Sequence, residues 1–126
     1  MKITKLDHVN IRTQQLDKMI EWYTEILGLH QGERPSSRSQ GAWMYIDDSP
    51  VVHLAEIDHD EAVGSEVELK LEHVGFVASG FQTFEDRLRS ADIPFRRSEL
   101  TAIDITRFNV WDPDGNHVHI DFKVNE

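Results

Sequence analysis

Leu6-Asp7-His8-Val9-Asn10-Ile11 and Leu71-Glu72-His73-Val74-Gly75-Phe76 are two versions of one segment, and their match decides the fold. Each sets an acidic residue and a histidine at the start of an alternating apolar run, the pattern of a strand with one buried face. A second match lies further on, where Val52-His53-Leu54 is repeated as Val118-His119-Ile120. Self-similarity at two separated places implies an internal duplication. Each half opens and closes on a similar strand, and each such strand carries a histidine at the equivalent place.

Outward from these strands the halves continue to agree. Leu16, Met19, Ile20, Tyr23 and Leu27 recur at helical spacing, and Gly28 is suited to end the helix they predict. Phe81, Phe84, Leu88 and Ala91 give the second helix, with Ser79 and Gln82 in the spacing of a capping box and Pro94 beyond its end. Both stripes read as faces packed on a sheet. Short strands follow each helix, over roughly 29–34, 41–47 and 50–57, then 95–99, 103–111 and 116–124. Asp112-Pro113-Asp114-Gly115-Asn116 and Asp47-Asp48-Ser49-Pro50 are tight turns. The fold class is therefore α+β, two βαβββ modules in tandem with curved sheets forming a metal-binding cup. The expected single domain spans 1–126, with modules at about 3–57 and 69–124 and an acidic linker over 58–68. Residues 32–41, with Pro35 and three serines, read as a mobile loop.

Strand side chains alternate between faces. In the last strand Val118, Ile120 and Phe122 share one face and His117, His119 and Asp121 the other. The apolar face must meet the helix, so the polar trio points away from it. By the same parity His53 faces away from the first helix, as do His8 with Asn10 and His73 with Gly75. Four histidines, His8, His53, His73 and His119, thus occupy the non-helical faces of four strands. Imidazole is the commonest metal ligand among side chains, and these four are the predicted ligands. The remaining histidines are assigned no ligand role: His30 at a helix end, His59 in the linker, His117 near the rim. Arg107 and Asn109 share the parity of Trp111, and Arg107 is the candidate for holding a substrate anion. Arg34 and Arg38 fall in the loop. Trp43 and Tyr45 are candidates to line the histidine face, while the repeat register argues instead for Met44 and Ile46; the choice is left open.

Composition narrows the functional classes. The 126 residues carry a net charge of −10 and no cysteine. Nucleic acid and anionic membranes require clustered cations, so neither is an expected partner. Thiolate ligands, disulfides and cysteine nucleophiles are excluded. The amino-terminal residues lack the apolar run of a signal peptide, which makes a cytoplasmic location the expectation.

The quoted segments, together with Trp22-Tyr23-Thr24-Glu25-Ile26-Leu27-Gly28-Leu29 and Asp112-Pro113-Asp114-Gly115-Asn116-His117-Val118-His119, resemble the vicinal oxygen chelate superfamily over nearly the whole chain. That superfamily includes glyoxalase I, fosfomycin-resistance transferases, extradiol dioxygenases and bleomycin-resistance proteins. The resemblance implies a divalent metal ion (Fe, Zn, Ni or Co) on His8, His53, His73 and His119. It implies Lewis-acid chemistry on a small substrate chelated through two oxygens, of lyase, isomerase or transferase type, and neutral ligands around a divalent ion favour an anionic one. His119 and Asp121 are the expected catalytic groups, and Asn10, Arg107 and Asn109 the expected substrate contacts. The sequence departs from glyoxalase I, which has Glu where His53 stands, and from most metalloenzymes of the family, which have Glu where His119 stands. The alternatives are an Fe(II) extradiol-type dioxygenase and a metal-free small-molecule-binding protein. A homodimer is implied as well.

Overall fold

In a computed structural model that describes residues 1–58 and 71–125, the chain divides into two compact units, Met1–Glu68 and Leu69–Glu126. Among the described residues each contains one α-helix and one four-stranded mixed sheet. The first runs β1 (Val9–Thr13), α1 (Leu16–Glu25), β2 (His30–Gly32), β3 (Gly41–Ile46), β4 (Ser49–Glu56). The second runs β5 (Val74–Ala78), α2 (Phe81–Ser90), β6 (Arg96–Leu100), a 3-10 turn (Thr101–Ile103), β7 (Ile105–Trp111), β8 (His117–Lys123). Strand orders β1-β4-β3-β2 and β5-β8-β7-β6 are the same topology twice. The module's opening and closing strands lie parallel at one side of each curved sheet, with the helix and the two middle strands between them in the chain, and the middle strands add on antiparallel.

The first core forms where the helical stripe meets the sheet's apolar parity. Met19 and Tyr23 of α1 are buried together with Ala42 and Met44 of β3 and Val52 and Leu54 of β4. This settles the open register: Met44 faces the helix, and Trp43 shares the face of its cross-strand partner His53. Gly28, at φ 75°, turns the chain out of the helix, and its N–H reaches the Thr24 carbonyl at 3.1 Å. In the second unit Phe84 and Leu88 pack with Phe108, Val110, Val118, Ile120 and Phe122. Phe84, Phe108 and Phe122 meet with ring centroids 5.4–5.7 Å apart, and such pairs add about 0.5–1.5 kcal/mol each beyond area burial.

Several local expectations are corrected. Ser79 does not cap α2; Gly80 at φ 80° holds the N-cap position with no side-chain cap bond. The strand expected from 103 begins at Ile105, because Thr101–Ile103 closes a 3-10 turn with Asp104 left-handed at φ 53°. His30 opens β2 rather than ending a helix, and its ring stacks on Tyr45 at 5.7 Å. The linker expected over 58–68 lies, apart from Asp58, outside the described residues, as does His59. No helix among the described residues is long and apolar enough to cross a membrane.

Candidate metal centre

The second unit builds a donor cluster from two directions. The turn before β8 is tied to Asp112, whose Oδ1 accepts the N–H groups of Asp114 and Asn116 at 3.0 and 2.9 Å. Gly115 supplies the positive φ that such a turn requires. The turn delivers His117 to the first position of β8, and strand parity puts His119 and Asp121 on the same face. On the adjacent strand the segment entering β5 brings Glu72 and His73 alongside. One ligand atom from each of Glu72, His73, His117 and His119 lies within 4.8 Å of the others.

The rings are ordered by stacking. His73 lies on His119 at 3.7 Å between centroids and 18° between planes, and His117 meets His119 edge-on at 4.7 Å. Trp111 stacks on the outer side of His117 at 4.9 Å. His119 is 9 % exposed, and its Nδ1 has no hydrogen-bond partner among the described residues. Burial, and then the charges of His73, Arg107 and His117, push its imidazole below the ordinary value, so it is neutral and its lone pair available at neutral pH. Glu72 accepts hydrogen bonds from both His73 and His117, which bring its carboxyl down to about 2 and keep it anionic. Neutral imidazole and ionised carboxylate are the forms that bind metal, so the cluster fits a divalent ion.

Facing the cluster from β7, Asn109 pairs with His119 across the sheet and Arg107 with Asp121. Asn109 is buried; its Nδ2 donates to the Arg96 carbonyl at 3.2 Å and its Oδ1 accepts from His117 Nε2 at 2.9 Å. Arg107 grips Asp121 through Nε and Nη2, both at 2.7 Å. That pairing, through its hydrogen bond above all, holds the Asp121 carboxyl below its ordinary range.

The first unit places its two histidines differently. His8 and His53 stack at 3.9 Å and 8°, and Trp43 covers the other face of His53 at 4.0 Å and 11°. His53 Nε2 donates to the Pro50 carbonyl at 3.1 Å, and His8 Nδ1 pairs with Asp7 at 2.8 Å. Burial, then the charge of His8, lowers the His53 imidazole's affinity for a proton. Asn10 is exposed, in register with His53. Of the residues singled out from sequence, His73, His119, Asn109, Arg107 and Asp121 thus share one face of one sheet. His8, His53 and Asn10 share a face of the other.

Two cluster members were not among the expected ligands. His117 was legible in principle, since His-x-His in a strand puts both rings on one face about 6.6 Å apart. Glu72 carried less signal, because it stands before the strand and parity does not place it.

The sequence profile of the Glyoxalase/Bleomycin resistance protein/Dioxygenase superfamily matches residues 5–120. The chain belongs to this superfamily. This member is 25% identical over 125 residues to Glyoxylase I 4 of Arabidopsis thaliana, covering 95% of its own length and 71% of the plant protein. Among solved structures it superposes on a glyoxylase/bleomycin resistance protein/dioxygenase domain from Frankia sp. EAN1pec with a TM-score of 0.78, at 22% identity, covering 97% of this chain and 93% of that one. The trypanothione-dependent glyoxalase I of Leishmania major gives a TM-score of 0.63 at 22% identity, covering 94% and 86%. At these identities the structural matches establish the fold.

Proposed function

We propose that this superfamily member is a divalent-metal-dependent enzyme acting on a small, anionic substrate chelated through two neighbouring oxygens, with a lyase, isomerase or transferase outcome. The observation that carries the reading is His119, a buried, neutral imidazole with an unpartnered nitrogen at the base of a cluster of metal-ligating side chains. The proposed ligands of the catalytic ion are His8, His53, His73 and His119. The ion, Fe, Zn, Ni or Co by its imidazole-rich shell, would supply Lewis acidity toward the chelated oxygens.

The chain's own groups have separable parts. Arg107 spends Nε and Nη2 on Asp121 and keeps Nη1 to meet a substrate carboxylate or phosphate. Asn109 and Asn10 are proposed to orient the substrate from β7 and β1. Of the two expected catalytic groups, Asp121 is held ionised by Arg107, and His119 is neutral, the form that ligates a metal.

Elemental analysis of protein purified without a metal-affinity column or added metal tests the proposal. About one such ion per chain is the expected result. A chain that carries none, and whose melting temperature ignores all four ions, is instead a metal-free binding protein of the bleomycin-resistance kind. Iron with dioxygen-dependent turnover of catechols would select the extradiol reading, which Glu72 favours by setting a carboxylate beside histidines. A homodimer is the proposed assembly.

A further inference from the structure

We infer that the second unit carries a metal site of its own, in which Glu72 and His117 join His73 and His119 as ligands. The inference rests on the metal-dependent reading and deepens it. It narrows the ligand set proposed above: the affinity for the ion resides in one unit, and His8 and His53 are not needed to hold it.

The hydrogen bonds fix which nitrogen of His117 is free. The Asn109 amide donates through Nδ2 to the Arg96 carbonyl, so its Oδ1 must accept from His117. Nε2 of His117 therefore carries a proton, which leaves Nδ1 as the atom that can ligate. Nδ1 meets Oε1 of Glu72 across 2.7 Å, a contact that a proton bridges without metal and that a bound ion would take over. His119, buried and with its Nδ1 unpartnered among the described residues, and His73 complete the group of four ligating side chains. Three imidazoles and one carboxylate are a four-donor set suited to zinc or cobalt. The Nε2–H to amide contact is the outer-sphere bond that ligating histidines ordinarily make.

The first unit shows that this is no automatic product of the duplication. Trp43 stands opposite His53 where Asn109 stands opposite His119. Val51 precedes His53 where His117 precedes His119. Neither Trp43 nor Val51 offers an amide or an imidazole, and the rings of His8, His53 and Trp43 stack.

The test strips the full chain with a chelator and titrates it with Zn²⁺ by calorimetry, and with Co²⁺ by its visible absorption. Four proteins are compared: wild type, Glu72→Gln, His117→Gln, and the double variant His8→Ala/His53→Ala. The Glu72 side chain is 67% exposed, so Glu72→Gln leaves the core untouched; circular dichroism verifies the fold of each. The double variant should bind one ion per chain within about threefold of wild type. Glu72→Gln and His117→Gln should each weaken binding by about tenfold or more, with an altered cobalt spectrum. Wild-type affinity in both single variants, or loss of the ion in the double variant, overturns the local site while metal dependence stands. Absence of binding in wild type removes metal dependence along with it.

Discussion

His119 sits where two requirements meet. Its backbone belongs to β8, between Val118 and Ile120 that fill the core, while its ring contributes to the opposite face. Deleting the ring removes a stack on His73 worth about 0.5–1.5 kcal/mol and a nitrogen that no protein group satisfies. His119→Ala should therefore fold, melt within a few degrees of metal-free wild type, and lose the rise in melting temperature that metal gives wild type. Phe122→Ala, three residues on, should cost about 3–5 kcal/mol, because that ring packs against Phe84 and Phe108 on the other side. Parallel thermal melts with and without Zn²⁺ separate the two. A collapse of metal-free His119→Ala comparable to that of Phe122→Ala would make His119 a structural residue.

Helix α2 is attached to its sheet by more than its apolar stripe. Glu85, 8 % exposed, receives Arg89 from its own helix and Arg97 from β6, each at 2.7 Å. Arg97 also holds Glu99, which accepts from Thr106 on β7. The hydrogen bond from Arg89, then that from Arg97, depresses the Glu85 carboxyl below its ordinary value of 4.5 against the opposing effect of burial. The folded state thus binds this proton less readily than the unfolded chain. The stabilisation is complete above 4.5 and is lost as pH falls through the lower, folded value. Glu85→Gln should cost about 1–3 kcal/mol at pH 7, with a deficit against wild type that shrinks as the solution is acidified below pH 4. Urea unfolding at several pH values measures it, and a deficit independent of pH would rule out the ion pair as the cause.

At the scale of the molecule, each sheet ends on an opening strand, β1 or β5, with one hydrogen-bonded neighbour in its own sheet among the described residues. Val77 on β5 is 79% exposed. Free strand edges invite pairing with another chain, and a two-fold dimer would satisfy two such edges at once. Light scattering at micromolar concentration should return twice the chain mass; the chain mass alone would exclude the dimer.

The duplication, the α+β class, the strand and helix of each module and the shared face of His117 and His119 were readable from residue order, because they depend on periodicity within a few residues. Ile105's late start and Gly80's capping role were not, since Asp104 and Gly80 adopt left-handed conformations that no apolar pattern signals. Which histidines could act together was still less local. The bond between Glu72 and His117 joins residues 45 apart in the chain. It exists because parallel pairing of β5 with β8 sets Val74 beside Val118, bringing the residues just before β5 next to the first residue of β8. The sequence by itself determined that imidazoles would line one face of each sheet. Only the tertiary structure decided that one face would gather three of them around a carboxylate while the other stacked its pair under a tryptophan. That choice was made by cross-strand register, which places Asn109 in one module where Trp43 stands in the other.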